Sequence, residues 1–477
     1  MTPAKIAPEV FPITPEVRRI GQAIEQAGGR AILVGGWVRD CLMGIPHSKD
    51  FDIEVFSLST RKLQDVLKRF GPVHTVGRHF GVLKLATRQA EYDVSVPRRE
   101  SKIGKGHKEF EIVADPDMPF EEAAARRDFT INSMGFAFMD GELLDPYGGR
   151  RDLDRRLLRH TSAAFGEDPL RVLRAMQFAG RFEMTVAEET IRISVEQDLS
   201  ELPKERIWEE FKKLLLYAEF PSHGLRYAKP LGILPYFPEL EALHDLPPVE
   251  GEEFPATPWE RTLETVDRAA AQRTGEEKAD LALMAAALIH RLEEIEAPAV
   301  GASRAAEASP AGEAALAAQA AQADGPIRRL LERFTRENAF PDAVAALVRD
   351  LLAPERLYAI REHEPDAEIR RLAIRVSIPL LLRLSRARFE ASAGERCGGK
   401  YDAGEWLGER ARALGVLDGP PQPILKGRHL LQMGMRPGPE LGNLLKAAFE
   451  RQLDGGFGTL EDALRWADVE HRAAPRR

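Results

Sequence analysis

The run Leu33-Val-Gly-Gly-Trp-Val-Arg-Asp-Cys-Leu-Met-Gly44, followed by Asp50-Phe51-Asp52, constrains the fold more than any other part of the chain. An apolar strand that enters a Gly-Gly turn and leaves as a helix near Trp37 brings backbone N–H groups and the positive end of a helix dipole to one point, which suits a phosphate. Gly35 and Gly36 are therefore candidate nucleotide-binding positions, and Arg39, one turn into the helix, is placed to reach a phosphate oxygen. Two glycines before a helix also make an ordinary structural turn, so the turn alone does not decide.

Asp50 and Asp52 narrow the choice. Residues i and i+2 of a strand project to one face, and two carboxylates side by side repel unless a cation lies between them. Magnesium is the natural cation, being hard and taking one or two carboxylates together with substrate phosphates. Asp-x-Asp is also frequent on solvated edges. Beside a glycine turn and an arginine, however, the pair reads as the catalytic centre of a two-metal nucleotidyl transfer. Asp93, within the apolar run Tyr92 to Val96, can supply a third metal-binding carboxylate from a neighbouring strand.

Around this run, short β-rich segments (31–34, 51–56, 82–86, 92–96) alternate irregularly with helical ones such as 61–70, which predicts a small mixed sheet in an α/β head. From Glu167 onward strand signals nearly vanish. Segments 169–182 and 204–218 carry apolar residues at three- and four-residue spacing, so the remainder reads all-α. The expected domains are a head over 15–160, a helical neck and body over 161–246, a further helical domain over 255–395 and a helical tail over 396–477. The third contains an alanine-dominated stretch, 297–326, with few bulky anchors. It reads as a mobile insertion, although alanine favours helix intrinsically.

Composition removes several classes. At 477 residues, 44% hydrophobic and 30% charged, the chain can bury several cores and is not a disordered polymer. Its two cysteines, Cys41 and Cys397, are too few for a disulfide framework, and no apolar run approaches the ~18 residues needed to cross a bilayer. A cytoplasmic protein without a membrane partner is expected. The net charge of −8 argues against a DNA-coating protein, but RNA needs only a local basic groove. Gly149 to Arg159 contains five arginines and two aspartates, and Lys212 and Lys213 lie on the helical pattern downstream. Arg155, Arg156, Lys212 and Lys213 are candidate RNA contacts, with a merely solvated helix face as the alternative.

The run Leu33 to Asp52 resembles the signature of the bacterial class II tRNA nucleotidyltransferase and poly(A) polymerase family. Further motifs agree in order: Arg126-Arg-Asp-Phe-Thr-Ile-Asn132, Leu144-Asp-Pro-Tyr-Gly-Gly-Arg150, Gly166-Glu-Asp-Pro-Leu-Arg-Val-Leu-Arg174 and Glu205-Arg-Ile-Trp-Glu-Glu-Phe-Lys-Lys213. The resemblance covers residues of about 20 to 245. It implies a polymerase-β-like nucleotidyltransferase head, followed by an all-α neck, body and tail. The implied enzyme adds or repairs the 3′-terminal CCA of tRNA from CTP and ATP, releasing pyrophosphate, with magnesium as cofactor. It further implies that Gly36 and Arg39 bind the triphosphate, that Arg127 holds the ribose and phosphate region, that Asp168 and Arg171 present hydrogen bonds to the base from one helical face, and that Arg174 lies near the phosphates. Asp128, beside Arg127, could instead orient it, and Asn132 reads as structural. Where the family pattern continues with another arginine, this chain has Gln177, which weakens one phosphate contact.

Poly(A) addition, or addition of only CC or only A, stays open, because base selection also rests on the loop over 100–111. In the second half, 259–263, 285–292 and 346–352 resemble helices of the HD-phosphohydrolase fold. Arg261 stands where that fold's first histidine would be, and His290 is followed by Arg291 instead of aspartate. A cation cannot ligate a metal, so this domain is expected to be non-catalytic and an HD-type phosphohydrolase is the remote alternative.

Overall fold

The computed structural model describes residues 4–5, 10–45, 51–76, 82–102, 110–248, 256–292, 325–335, 339–393 and 399–473. Asp50, residues 103–109, Cys397 and nearly all of the alanine-rich stretch lie outside them. The chain divides into two compact units, Met1–Leu202 with Arg226–Ile233, and Pro203–Leu225 with Leu234–Arg477. The division falls inside the segment expected as one domain over 161–246.

In the first unit the elements are β1 (Ala4–Lys5), α1 (Pro15–Gln26), β2 (Arg30–Val34), α2 (Gly36–Met43), β3 (Phe51–Phe56), α3 (Thr60–Leu67), β4 (Val73–Val76), β5 (Val82–Ala86) and β6 (Glu91–Ser95). They are followed by β7 (Arg98–Lys102), β8 (Phe110–Ala114), α4 (Phe120–Ala125), β9 (Gly135–Ala137), β10 (Glu142–Leu144), α5 (Gly149–Asp154), β11 (Leu157–Leu158), α6 (Leu170–Phe182), β12 (Thr185–Val186) and α7 (Glu188–Val195). The main sheet has the order β1-β10-β9-β2-β3-β6-β5-β4. It is mixed, since β3 pairs parallel with β6 while β2 pairs antiparallel with both β3 and β9.

Local chemistry explains the layout. Thr14 caps α1 by accepting the Val17 N–H at 3.2 Å, Pro15 opens the helix, and the apolar stripe Val17, Ile20, Ile24 is fully buried. The interior strand β2 is apolar from Ala31 to Val34, as expected of a strand covered on both faces. In β3 the period of two splits the side chains: Phe51, Ile53 and Val55 go into one core, while Asp52 and Glu54 share the opposite face. β7 and β8 form a separate antiparallel ribbon, anchored where Arg99 pairs with Asp115 at 2.9 Å and with Glu122 of α4.

Helix α6 packs into the head through aromatic rings. Phe129, fully buried, meets Phe165 at 5.8 Å and Phe178 at 5.5 Å between ring centroids, both edge-on. This packing is why the first unit continues to Leu202 and does not end near residue 160.

The second unit is helical: α8 (Lys204–Tyr217), α9 (Pro221–Leu225), α10 (Pro238–Asp245), α11 (Pro258–Ala270), α12 (Glu277–Ile289), α13 (325–334), α14 (Ala339–Arg349), α15 (Ala353–Ala359), α16 (Asp366–Arg375), α17 (Ile378–Ala393), α18 (Asp402–Ala413), α19 (Gly427–Gln432), α20 (Pro439–Leu453) and α21 (Leu460–Ala473). Phe334 of α13 gathers Trp208, Phe211 and Phe237 at 5.0, 4.8 and 5.4 Å. The tail has its own small core of Leu425, Leu430, Met435, Ala448, Phe457, Ala463 and Ala467. Among the described residues no helix is long and apolar enough to cross a membrane.

Asp280, in the first turn of α12, is buried and accepts the Thr274 and Gly275 N–H groups at 2.9 and 2.7 Å and an Arg383 N–H at 3.0 Å. Burial pushes its pKa up, but those donors outweigh burial and hold the carboxyl below its ordinary value. A depressed folded-state pKa means that the stabilisation is fully present above the unfolded value of about 3.9 and is lost as pH falls through the folded one. Asp280→Asn is expected to cost about 1.5–3 kcal/mol at pH 7 and to flatten the stability loss below about pH 4, read by urea unfolding across pH. Phe129→Ala, which empties the seam between α6 and the sheet, is expected to cost about 3–5 kcal/mol by the same measurement at neutral pH.

Candidate active site

The glycine turn has the geometry its sequence demands. Gly35 lies at φ 74° and ψ −140°, a conformation open to glycine and strained for other residues, and α2 starts immediately after it. A Cβ at Gly35 would stand 3.4 Å from Arg127 Nη1 and 3.6 Å from Asp52 Oδ2. One point in space is thus bordered by a helix N-terminus, a carboxylate and a guanidinium, contributed by segments far apart in sequence. Gly36, the first residue of α2, faces Arg39.

Asp52 is exposed at the strand surface, and the parallel register of β3 with β6 sets it directly beside Asp93. Neighbours in register on parallel strands project to the same side, so the two carboxylates stand next to each other. Lys84, opposite Asp93 on β5, makes an ion pair with it at 3.5 Å. The donors are hard oxygens suited to a cation such as magnesium. Among the described residues no three His, Cys, Asp or Glu side chains gather into a ligand set, Asp50 lying outside them.

Segment 126–128 is the hub of the site. Arg126 and Arg127 both reach Glu54, whose carboxylate is 1% exposed, through Nη2 to Oε1 at 3.3 Å and Nη2 to Oε2 at 3.1 Å. Asp128 points the other way. Its Oδ2 accepts Arg174 Nε and Nη2 at 2.8 and 2.7 Å, and its Oδ1 accepts the Phe129 N–H and the Asn132 amide at 2.8 and 2.9 Å. Burial raises the Asp128 pKa, but Arg174 and the other donors outweigh it and hold the carboxylate ionised, below the usual range. Asp128 therefore orients Arg174 and Asn132, while Arg127 is held by Glu54.

Arg39 is placed differently from its sequence expectation. It is 5% exposed, donates from Nε and Nη2 to Asp40 Oδ1 at 2.8 and 2.6 Å and from Nη1 to Asn132 Oδ1 at 2.7 Å, and sits over the Phe182 and Phe178 rings at 4.4 and 5.2 Å. Burial lowers its pKa against the opposing pull of Asp40. Its donors are spent on Asp40 and Asn132 and its face lies on two rings of α6, an arrangement that a helix position one turn inside the N-terminus allows but does not announce.

Asp168 also departs from expectation. It is not on the α6 face with Arg171 but precedes the helix in extended backbone, at φ −129° and ψ 101°. Pro169 is the cause, because a residue before proline is driven out of the helical region. Asp168 Oδ1 accepts the Leu170 N–H at 3.1 Å, capping the helix start. Arg171 donates to the carbonyls of Ala164 and, at 2.6 Å, Arg126, so its plane is fixed by backbone. Gln177 is wholly buried, and neither of its amide atoms has a partner among the described residues. It is not exposed to a phosphate, and a neutral side chain avoids burying an unpaired charge there.

The basic candidates separate by unit. Arg155 is exposed, whereas Arg156 donates to the Phe182 carbonyl at 3.0 Å. Lys212 pairs with Glu209, and Lys213 with Glu210 at 2.8 Å, each three residues upstream on α8. In the second unit His290 ends α12 fully buried, its Nδ1 at 2.8 Å from the Ala287 carbonyl. Burial depresses its pKa to about 3, and it is neutral at physiological pH. Arg261 donates to the Ala391 carbonyl at 3.2 Å, so neither residue is arranged as a ligand.

Glu54 was not among the residues singled out from sequence. The signal was available: the period of two that pairs Asp50 with Asp52 continues to Glu54.

Two family models match the chain: the poly A polymerase head domain over residues 31–159, and the probable RNA and SrmB-binding site of polymerase A over 186–243. A multifunctional CCA protein from Methylococcus capsulatus is 33% identical over 431 residues, covering 87% of this chain and 92% of that protein. One from Stenotrophomonas maltophilia is 42% identical over 225 residues, covering 45% and 53%. Among solved structures, the CCA-adding enzyme of Bacillus stearothermophilus in complex with CTP shares the fold at TM-score 0.62 and 21% identity, covering 97% of this chain and 99% of that one. The Thermotoga maritima CCA-adding enzyme complexed with tRNA does so at 0.60 and 18%, covering 98% and 99%. The glycine turn, the paired carboxylates and the arginine hub thus lie in a head whose fold and sequence both have relatives along nearly the whole chain, which belongs to the tRNA nucleotidyltransferase and poly(A) polymerase family.

Proposed function

We propose that this protein adds or repairs the 3′-terminal CCA of tRNA, using CTP and ATP and releasing pyrophosphate. The observation that carries this reading is the convergence of Gly35, Asp52 and Arg127 on one point, in a chain aligned over 92% of a multifunctional CCA protein. The α-phosphate is attacked by the 3′-hydroxyl of the RNA, and catalysis is a matter of positioning and charge neutralisation. Asp50, Asp52 and Asp93 would hold magnesium, which when bound supplies activation of the attacking hydroxyl and neutralisation of the departing pyrophosphate. The N–H groups at the start of α2 and the open side of Arg127 receive the triphosphate.

Base selection belongs to Asp168 and Arg171. Arg171 is locked by two backbone carbonyls, and Asp168 by its helix cap, so both offer fixed hydrogen-bonding edges in place of mobile ones. Arg174, aligned by Asp128, completes the cationic side. The exposed Arg155 of the first unit and, in the second, the α8 lysines are offered to the tRNA backbone. A site of action in the cytoplasm and magnesium as the metal are parts of this reading.

Asp52→Ala is expected to lower incorporation of labelled CTP and ATP into tRNA transcripts ending before CCA by about 10²–10³-fold or more, with the circular dichroism spectrum unchanged. Unaltered incorporation would overturn the reading, and long A tails on an unstructured RNA with the wild-type protein would make it a poly(A) polymerase. Asp168→Ala is expected to shift the ratio of CTP to ATP use at the first added position by about tenfold or more, measured in single-nucleotide assays. An unmoved ratio would remove Asp168 from base selection.

A further inference from the structure

We infer that Glu54 is a positioning residue for the nucleotide, acting through Arg127. It is a carboxylate with 1% of its side chain exposed, and nothing in the phosphate, metal or base chemistry above requires it. A buried carboxylate costs several kcal/mol, roughly, unless it is paired, so its place in an interior strand calls for a reason. Its two oxygens are divided between two consecutive arginines, Oε1 to Arg126 and Oε2 to Arg127.

The state of Arg127 shows what that division achieves. Its guanidinium carries five N–H donors, and Glu54 Oε2 is its side-chain acceptor among the described residues. Nε is buried with no partner among the described residues, and Nη1 lies at the Gly35 turn, where Asp52 also stands. The residue is gripped at one corner while Nη1 borders the phosphate-binding turn. Glu54 thus fixes the plane of Arg127 before a nucleotide arrives, so that less rotamer entropy is lost on binding. The ligand chemistry is that of a nucleoside triphosphate, irrespective of base, because the group that Glu54 orients, the Arg127 guanidinium, borders the phosphate-binding glycine turn. In naming that ligand the inference rests on the nucleotide-adding reading above.

The test is a double-mutant cycle on nucleotide binding. CTP and ATP are titrated separately against the wild-type protein, Glu54→Gln, Arg127→Ala and Glu54→Gln/Arg127→Ala, without RNA, alongside thermal unfolding of each and KM and kcat for tRNA incorporation. Glu54→Gln is expected to weaken both nucleotides by about tenfold, mostly in KM, and to have no further effect once Arg127 is gone. Equal weakening in the Arg127→Ala background, or unchanged binding in Glu54→Gln, would overturn the inference. If Glu54→Gln fails to fold, Glu54→Asp keeps the charge but shortens its reach. It is then expected to weaken both nucleotides without lowering the unfolding midpoint, and native affinity would overturn the inference. A wild-type protein that binds nucleotides with this coupling but adds none to RNA would sink the proposed function and leave Glu54 in its role.

Discussion

Two buried carboxylates, Glu54 and Asp128, organise the head. Each has been taken out of water and must be compensated by charge and hydrogen bonds, and each is compensated by arginine from a different element. Glu54 draws in Arg126 and Arg127 from the end of α4, while Asp128 draws in Arg174 from α6 and, through Asn132, Arg39 from α2. Strand, glycine turn, hub and helix are therefore joined by interactions that fail badly if one partner is removed. The aromatic seam of Phe129, Phe165 and Phe178 supplies the apolar support on which Arg39 and Arg174 lie. Arginine suits this position because its planar fork satisfies a carboxylate and still stacks on a ring.

The sheet assigns a division of labour to its two faces. β3 feeds three bulky apolar side chains, Phe51, Ile53 and Val55, to one side and two acidic ones, Asp52 and Glu54, to the other, and its parallel neighbour β6 repeats an acid in register, Asp93 beside Asp52. An antiparallel ribbon beside it carries lysine at the matching place, so Lys84 both limits carboxylate repulsion and marks the edge of the acidic strip. Charge of both signs, Asp52 and Arg127, borders the glycine turn, while the second unit spends arginines on carbonyls and on ion pairs such as Arg375 with Asp350.

Much of the head was legible in the sequence because its signals are local. Strands at 51–56 and 82–86 and helices near 170–182 and 204–217 follow from periodicity, and the Gly-Gly turn announces its own conformation. β4, β9 and β10 are three or four residues long, below the length at which a period of two can be recognised, and β7 is a ribbon strand of mostly charged residues. Arg39 and Arg174 could be named as important, but nothing in a one-dimensional reading separates an arginine that awaits an anion from one already committed to a carboxylate. Glu54 shows the converse. Its alternation with Asp52 was readable, yet its partners lie 72 and 73 residues away, where only the fold could bring them. Asp168 lies one step before the helix because Pro169 keeps the residue ahead of it out of helical backbone, a boundary that apolar spacing does not register.

Arg171 grips the carbonyl of Arg126, and Arg127, the next residue, is the one directed at the glycine turn. On the proposed reading, the group that inspects the base and the group that receives the phosphates are gauged from adjacent residues of one peptide. Only one planar amide separates the carbonyl that Arg171 holds from the residue that carries the second guanidinium, so a shift of this short segment moves both groups together. A displacement at one end of a bound nucleotide is thereby passed to the other through a single peptide.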